Sequence, residues 1–462
     1  MKNKFTISAI VLLSFVLMSG IIDLNELFNY ENQETPAYLS KDNTPTDNHI
    51  TDAAATLGRV LFYDKNLSVD NTTSCSSCHL QEFAFGDTAV VSHGVAGVTG
   101  RHSMRLINAR YSDEFRAFWD ERASSFEDQA TKPIQDHVEM GYSGENGDPD
   151  FDDLIVKLEA VEHYQVLFEF VFGDTIITEQ KVQKAIAQFV RSIQSYDSKY
   201  DIGRAQSANS DMDFPNFTDQ ENEGKQLFNL HPPSGGAGCA RCHSDEEFSM
   251  IPDCDNNGVT DVVNYPDSID LTNTKAPTLR DLVNPQGMMN GPFMHNGSLL
   301  SLMDVLDHYN DLEEVPENTN LDHRLQGTMH DLDLSQTDKE AVVAFLLTLT
   351  GEEVYTSEKL SNPFDSEGNI TIVPHEFEGI SNIDNVINIK PYPNPTKDKF
   401  RISLEEGTYQ LFIFDKSGAK VKSSLIRSKH IEDISSLQNG VYFIQIIDIT
   451  TNKIFSGKII KE

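Results

Sequence analysis

At 462 residues the chain has room for about three domains. It carries 36 Lys and Arg against 72 Asp and Glu, a net charge of −36, which argues against binding nucleic acid or an anionic membrane. That surplus either steers a basic partner or serves solubility alone.

The start, residues 1–20, places Lys2 and Lys4 before the apolar run Ile7–Met18 and reads as a secretory signal peptide. An uncleaved anchor is the alternative, although the run is short for a bilayer span. Residues 21–48 are polar and read as a linker. Helical spacing of apolar residues then predicts helices over Asp152–Leu158, Glu179–Tyr196, Asp219–Phe228 and Asp338–Leu349. Loops rich in Gly, Pro and Asn separate them, among them Ser92–Arg101, Gly141–Asp150 and Pro252–Thr278. A break near Asp201–Phe214 divides this region into halves, 49–201 and 202–352. Residues 353–389 read as a second linker. Alternating patterns over Phe400–Ser403, Gly407–Asp415, Lys420–Ile426, Val441–Asp448 and Lys453–Ile460, with turns at Lys416-Ser417-Gly418 and Gln438-Asn439-Gly440, predict a small all-β sandwich over 390–462. That stretch holds 12 Lys and Arg against 8 Asp and Glu, so the rest of the chain carries −40 and the change of sign marks a separate module.

Each half contains one Cys-x-x-Cys-His: Cys75-Ser76-Ser77-Cys78-His79 and Cys239-Ala240-Arg241-Cys242-His243. Two thiols at this spacing add across the vinyl groups of one haem, and the adjacent imidazole becomes its axial iron ligand. A zinc site or a redox dithiol would use the paired cysteines, but rarely with a His directly after each pair. The expectation is two covalent haem c groups on His79 and His243, in two cytochrome c-like domains in tandem, mainly α. Attachment of haem c outside the cytoplasm agrees with export. Cys254 is left over as a lone thiol, so no disulfide framework is implied.

The region from about Ala54 to Gly351 resembles the bacterial di-haem cytochrome c peroxidase family, including its methylamine-utilisation branch. The resemblance is carried by Leu57-Gly58-Arg59-Val60-Leu61-Phe62-Tyr63-Asp64, Phe118-Trp119-Asp120-Glu121-Arg122-Ala123, Glu127-Asp128-Gln129-Ala130, Val138-Glu139-Met140-Gly141, Ala276-Pro277-Thr278-Leu279-Arg280-Asp281, Pro292-Phe293-Met294-His295-Asn296-Gly297 and Ala344-Phe345-Leu346, in that order. It implies reduction of hydrogen peroxide to water with electrons from a small cytochrome or copper protein. Glu139 would be the acid–base group at the first haem, Gln129 a hydrogen-bond partner of bound oxygen, Phe118 a wall, and Trp119 an electron relay between the haems. By the same resemblance Tyr309 is the distal ligand of the second haem, with Met294, Met288 and His308 as alternatives. Val95 stands where the best-known peroxidases have a distal His, which implies an open first haem unless the nearby His93 binds it. The family's calcium ion between the two domains would meet His102 in place of an Asn. Asp253-Cys254-Asp255-Asn256-Asn257-Gly258 reads as a turn in preference to a second calcium loop. The family also implies a homodimer. Two other readings stand beside the peroxidase: an oxidase of a protein substrate, and a passive multihaem electron carrier.

The C-terminal module is similar to the sorting domain of type IX secretion substrates, through Tyr392-Pro393-Asn394-Pro395, Tyr409, Phe414, Asp415, Gly418, Gly440-Val441-Tyr442 and Lys458. This implies the type IX secretion machinery as a partner. The destination is then the cell surface or medium, with the periplasm as the alternative.

Overall fold

The computed structural model describes residues 20–374 and 386–462, apart from 114, 245, 251–253, 314, 328–331, 417–419 and 449–452. The signal sequence before Gly20, Asp253 and the Ser417–Gly418 turn therefore lie outside the described residues. The chain divides into two units, Met1–His375 and Glu376–Glu462. Among the described residues no helix is long and apolar enough to cross a membrane.

The first unit holds both haem motifs and is helical: α1 Asp52–Tyr63, α2 Phe126–Ala130, α3 Phe151–Glu159, α4 Glu162–Phe172, α5 Glu179–Ser192, α6 Lys199–Ala205, α7 Asp219–Asn229, α8 Leu302–Asn310, α9 Gln336–Leu347 and α10 Glu353–Thr356. Most begin on a Ser, Thr or Asp whose side chain accepts a first-turn N–H, as Thr51, Ser125, Asp150, Thr178, Ser198, Thr218, Ser301 and Ser335 do. Helix α5 ends at Ser192, short of the expected Tyr196. Beyond it Asn108 competes for the backbone: its N–H donates to the Ile193 carbonyl at 2.9 Å and its side chain accepts from the Ser195 N–H at 2.8 Å.

Two helix pairs repeat one packing. Helix α1 meets α5 at Gly58, where a Cβ would stand 2.0 Å from the Ala185 carbonyl oxygen and 2.9 Å from Phe189 Cβ. Helix α7 meets α9 at Gly224, where the distances are 1.8 Å to the Ala341 oxygen and 3.0 Å to Phe345 Cβ. One turn further along, Phe62 meets Phe189 edge to face at 5.2 Å and Phe228 meets Phe345 at 5.3 Å. A third ring joins each pair, Phe85 at 5.9 Å from Phe62 and Phe248 at 5.8 Å from Phe228. Each half thus has its own apolar core. Gly58→Ala or Gly224→Ala is expected to destabilise the holoprotein by about 3 kcal/mol, because backbone blocks the added methyl. A lower thermal midpoint would register it.

Both segments read as linkers contribute to this unit. Within 21–48, Ile21–Asp23 pairs in parallel with Thr371–Val373, and Ile22, Leu24 and Tyr30 are buried in the first core. From 353–389, Val354, Leu360 and Phe364 join the same core. Tyr63 and Arg59 donate to the Leu360 and Ser361 carbonyls at 2.7 and 2.6 Å. Polar composition hid a few well-spaced anchors in both stretches.

The second unit is all β, as expected, and five of its strands form one hydrogen-bonded sheet. Its order is Lys420–Asp433, Lys399–Phe414, Gly440–Asp448, Ile454–Lys461, Val386–Asn388. The two strands expected over 400–415 are one strand whose register shifts between Ser403 and Thr408. The shift changes parity, so Phe400 and Ile402 before it and Tyr409, Leu411 and Ile413 after it all reach the same core.

Candidate functional site

The two Cys-x-x-Cys-His motifs form matching turns. Cys75–Ser77 and Cys239–Arg241 are single 3-10 turns that bring both thiols and the following His to one side of the chain. His79 Nδ1 is 3.0 Å from the Phe85 carbonyl oxygen, and His243 Nδ1 is 3.0 Å from that of Phe248. Phe85 and Phe248 both adopt left-handed backbone, φ 59° and 54°, which turns each carbonyl toward the ring. The bond fixes the tautomer and leaves Nε2 as the nitrogen that would face an iron. Burial holds both imidazoles neutral, with His243 lowered to about 4. Each motif opens on a cavity, one of about 530 Å³ at His79 and one of about 180 Å³ at His243. Paired thiols, a neutral imidazole with one nitrogen tied back, and apolar walls form a donor set that fits covalent haem in each half.

The walls opposite the two motifs are also built alike, 176 positions apart. Ala117 bridges Ala123 as Phe293 bridges Leu299. Phe118 and Met294 share a left-handed backbone, φ 70° and 69°, as do Glu121 and Gly297, φ 58° and 63°. Ser125 and Ser301 then cap α2 and α8. In this frame Phe118 and Gln129 line the first cavity where Met294 and Val305 line the second. Pro133, which has no donor atom, lines the first where Tyr309 lines the second. Burial pushes the Tyr309 phenol well up.

Glu139 lies half-buried in the wall of the first cavity. Asp136 holds its backbone by accepting from the Val138 and Glu139 N–H groups at 2.8 and 3.0 Å. The hairpin at Gly94 clamps the same segment, since a Cβ there would lie 2.0 Å from the Val138 oxygen. Burial, aided by the Asp136 charge and opposed by Arg122, raises the Glu139 carboxyl to about 7. The Arg122 guanidinium sits 3.6 Å above the Phe118 ring.

Trp119 lines both cavities. Its indole N–H donates to the His102 carbonyl at 2.7 Å, the His102 N–H donates to the His295 carbonyl at 2.8 Å, and the Trp119 ring meets the His295 ring edge to face at 6.3 Å. His295 is the counterpart of Trp119 in the repeat, so the two equivalent positions touch.

Other expectations divide. His93 is exposed on its hairpin and does not line the first cavity. Met288 is 53% exposed, and His308 Nε2 is 3.2 Å from the Asn257 carbonyl and off the cavity wall. Met294 and Tyr309 both line the second cavity. At the expected calcium position His102 offers nitrogen where calcium takes oxygen, and its Nδ1 is 2.9 Å from the Ala89 carbonyl. Asp255, Asp322 and His323 converge, but Arg324 engages both Asp322 oxygens at 2.9 Å, so an ion pair occupies the group. Cys254 is a free thiol buried in the wall of the second cavity and hydrogen-bonded to the Cys242 thiol. Sequence reasoning missed the backbone carbonyls of Phe85 and Phe248, which leave no side-chain signal. It also missed Arg105, which lines both cavities.

Comparison with known proteins agrees with this geometry. A family model described as di-haem cytochrome c peroxidase matches residues 52–209, and one described as a secretion system C-terminal sorting domain matches 390–462, which marks the chain for export. The chain is 32% identical to the methylamine utilization protein MauG of Methylorubrum extorquens over 67% of its own length and 81% of that protein. It is 25% identical to cytochrome c551 peroxidase of Nitrosomonas europaea over 65% and 80%. The crystal structure of a MauG-like protein associated with microbial copper homeostasis superposes with a TM-score of 0.58 at 27% identity, covering 72% of this chain and 99% of that one.

Proposed function

Since the chain belongs to the di-haem cytochrome c peroxidase family, we propose that its first cavity reduces hydrogen peroxide to water and its second passes in electrons from an external donor cytochrome. Haem, once attached at each motif, supplies a redox-active iron able to break an O–O bond. The Glu139 carboxylate takes a proton from one peroxide oxygen and returns it to the other, which leaves as water. The Gln129 amide orients the oxygen that stays, while Phe118 keeps bulk water out. Trp119 bridges the cavities as the electron path. Two cytochrome c-like domains, each closed by one of the repeated helix pairs, carry the two sites.

One observation carries the reading. Within a repeated scaffold, and among the described residues, it is the first cavity that pairs a raised carboxyl with a donorless residue, Pro133, at the place where the second has Tyr309. Proton uptake from peroxide needs Glu139 ionised, and its carboxyl sits at about 7. The kcat/KM for peroxide should therefore fall as pH drops below about 7 and level off above it. A profile flat from pH 5.5 to 8.5 would remove Glu139 from the acid–base role.

Tyr309 favours a second reading, an oxidase acting on a protein substrate. A phenolate ligand stabilises the oxidised iron and keeps the potential low. Tyr309→Met is expected to raise the potential of the second haem by on the order of 0.1 V. An unmoved potential in a spectroelectrochemical titration would assign the ligand elsewhere, Met294 first.

A further inference from the structure

Arg105 is a half-buried arginine that forms no ion pair among the described residues, the acid acting on it, through space, being Asp281. Its stem packs on the first half, with Cγ lying 2.9 Å from where a Cβ on Gly86 would be. Its head crosses into the second half, donating from Nη1 to the Asn290 carbonyl at 3.3 Å and from Nη2 to the Thr278 carbonyl at 3.0 Å. Nε is buried without a hydrogen-bond partner among the described residues. No carboxylate forms an ion pair with it there, whereas Arg101, Arg122, Arg191, Arg204, Arg280 and Arg324 each have one. Burial lowers even this group to about 10, opposed only in part by Tyr355 and Asp281. Buried charges are normally paired, because the cost of stripping water from an unpaired one is large. The side chain lines both haem cavities at once.

We propose that Arg105 supplies the counter-charge for haem propionate at the boundary between the two cavities. Each haem brings two carboxylates, and a guanidinium fork binds a carboxylate with geometric specificity that an ammonium lacks. The proposal rests on the di-haem reading and extends it. A fixed cation that touches both cavities also makes the ferric state of a neighbouring haem less favourable, so it raises the reduction potential.

The test uses the full-length holoprotein and does not involve peroxide turnover. Haem content per chain is measured first, and a protein without covalent haem would overturn the family reading itself. With haem present, Arg105→Met is expected to lower the midpoint potential of at least one haem and to shift its propionate bending mode in the resonance Raman spectrum. Arg105→Lys keeps the charge and loses the fork, so it should shift the bending mode with a smaller change in potential. Unmoved potentials and modes in loaded R105M would overturn the proposal and leave the peroxidase reading intact. If R105M does not load haem, R105K decides alone: a shifted propionate mode supports the pairing, and an unshifted one overturns it.

Discussion

Replacing Glu139 by Gln is expected to lower kcat for peroxide reduction by about 10²- to 10⁴-fold while both haems remain attached. The substitution keeps the size and hydrogen-bonding reach of the side chain and removes its capacity to exchange a proton. Glu139 suits that exchange because burial brings its carboxyl to about 7, where both protonation states are within reach. The segment that carries it is held from two sides, by the Asp136 carboxylate and by the Gly94 hairpin. The variant should therefore lose activity without losing fold, and the pH inflection near 7 should vanish with the activity. Stopped-flow consumption of peroxide with a reduced donor checks both. An E139Q protein within threefold of wild type would mean that another group, or solvent, handles the proton.

Removing one haem motif at a time should separate the two cavities into different defects. Cys75→Ala with Cys78→Ala is expected to leave one haem per chain that still takes an electron from the donor, with peroxide consumption falling to background. Cys239→Ala with Cys242→Ala is expected to lose turnover driven by the protein donor and to retain turnover driven by a small reductant that reaches the first cavity directly. The asymmetry follows from the walls: Gln129, Glu139 and Pro133 surround the first cavity, while Val305, Met294 and Tyr309 surround the second. Equal defects in the two variants, under both reductants, would show that the cavities do not divide the work in this way.

The haem sites were legible in the sequence because covalent attachment demands two thiols and an imidazole at a fixed spacing. The helices α3, α5, α7 and α9 were legible through apolar periodicity; most ends moved by at most two residues, as where the Ser335 cap starts α9 at Gln336, and the one larger change is at α5, where Asn108 takes the backbone at Ile193. Other features lay below what a pattern can carry. Gly58 and Gly224 differ from tolerated helix glycines only in the backbone that crosses them. The repeat from 117–133 to 293–309 keeps a Ser and an Asp at the helix caps and little else, since it preserves backbone shape while its side chains diverge. Arg105 sits in a run with no periodicity, and its burial depends on carbonyls more than 170 positions away. Residues 21–48 looked like a tether because Ile22, Leu24 and Tyr30 are too sparse to register.

The pairing of Ile21–Asp23 with Thr371–Val373 has a consequence for maturation. It makes the two ends of the haem-bearing unit neighbours in register, so the unit is closed almost as a ring. A cleavage that leaves this pairing intact would fall before Ile21 on the N-terminal side and after Val373 on the side of the sorting module. A cut inside either strand would free both at once, exposing Ile22 and the core beneath it. The same closeness of ends makes this unit a natural subject for circular permutation, with a short linker joining Val373 to Ile21 and new termini placed in the exposed loop at 144–147.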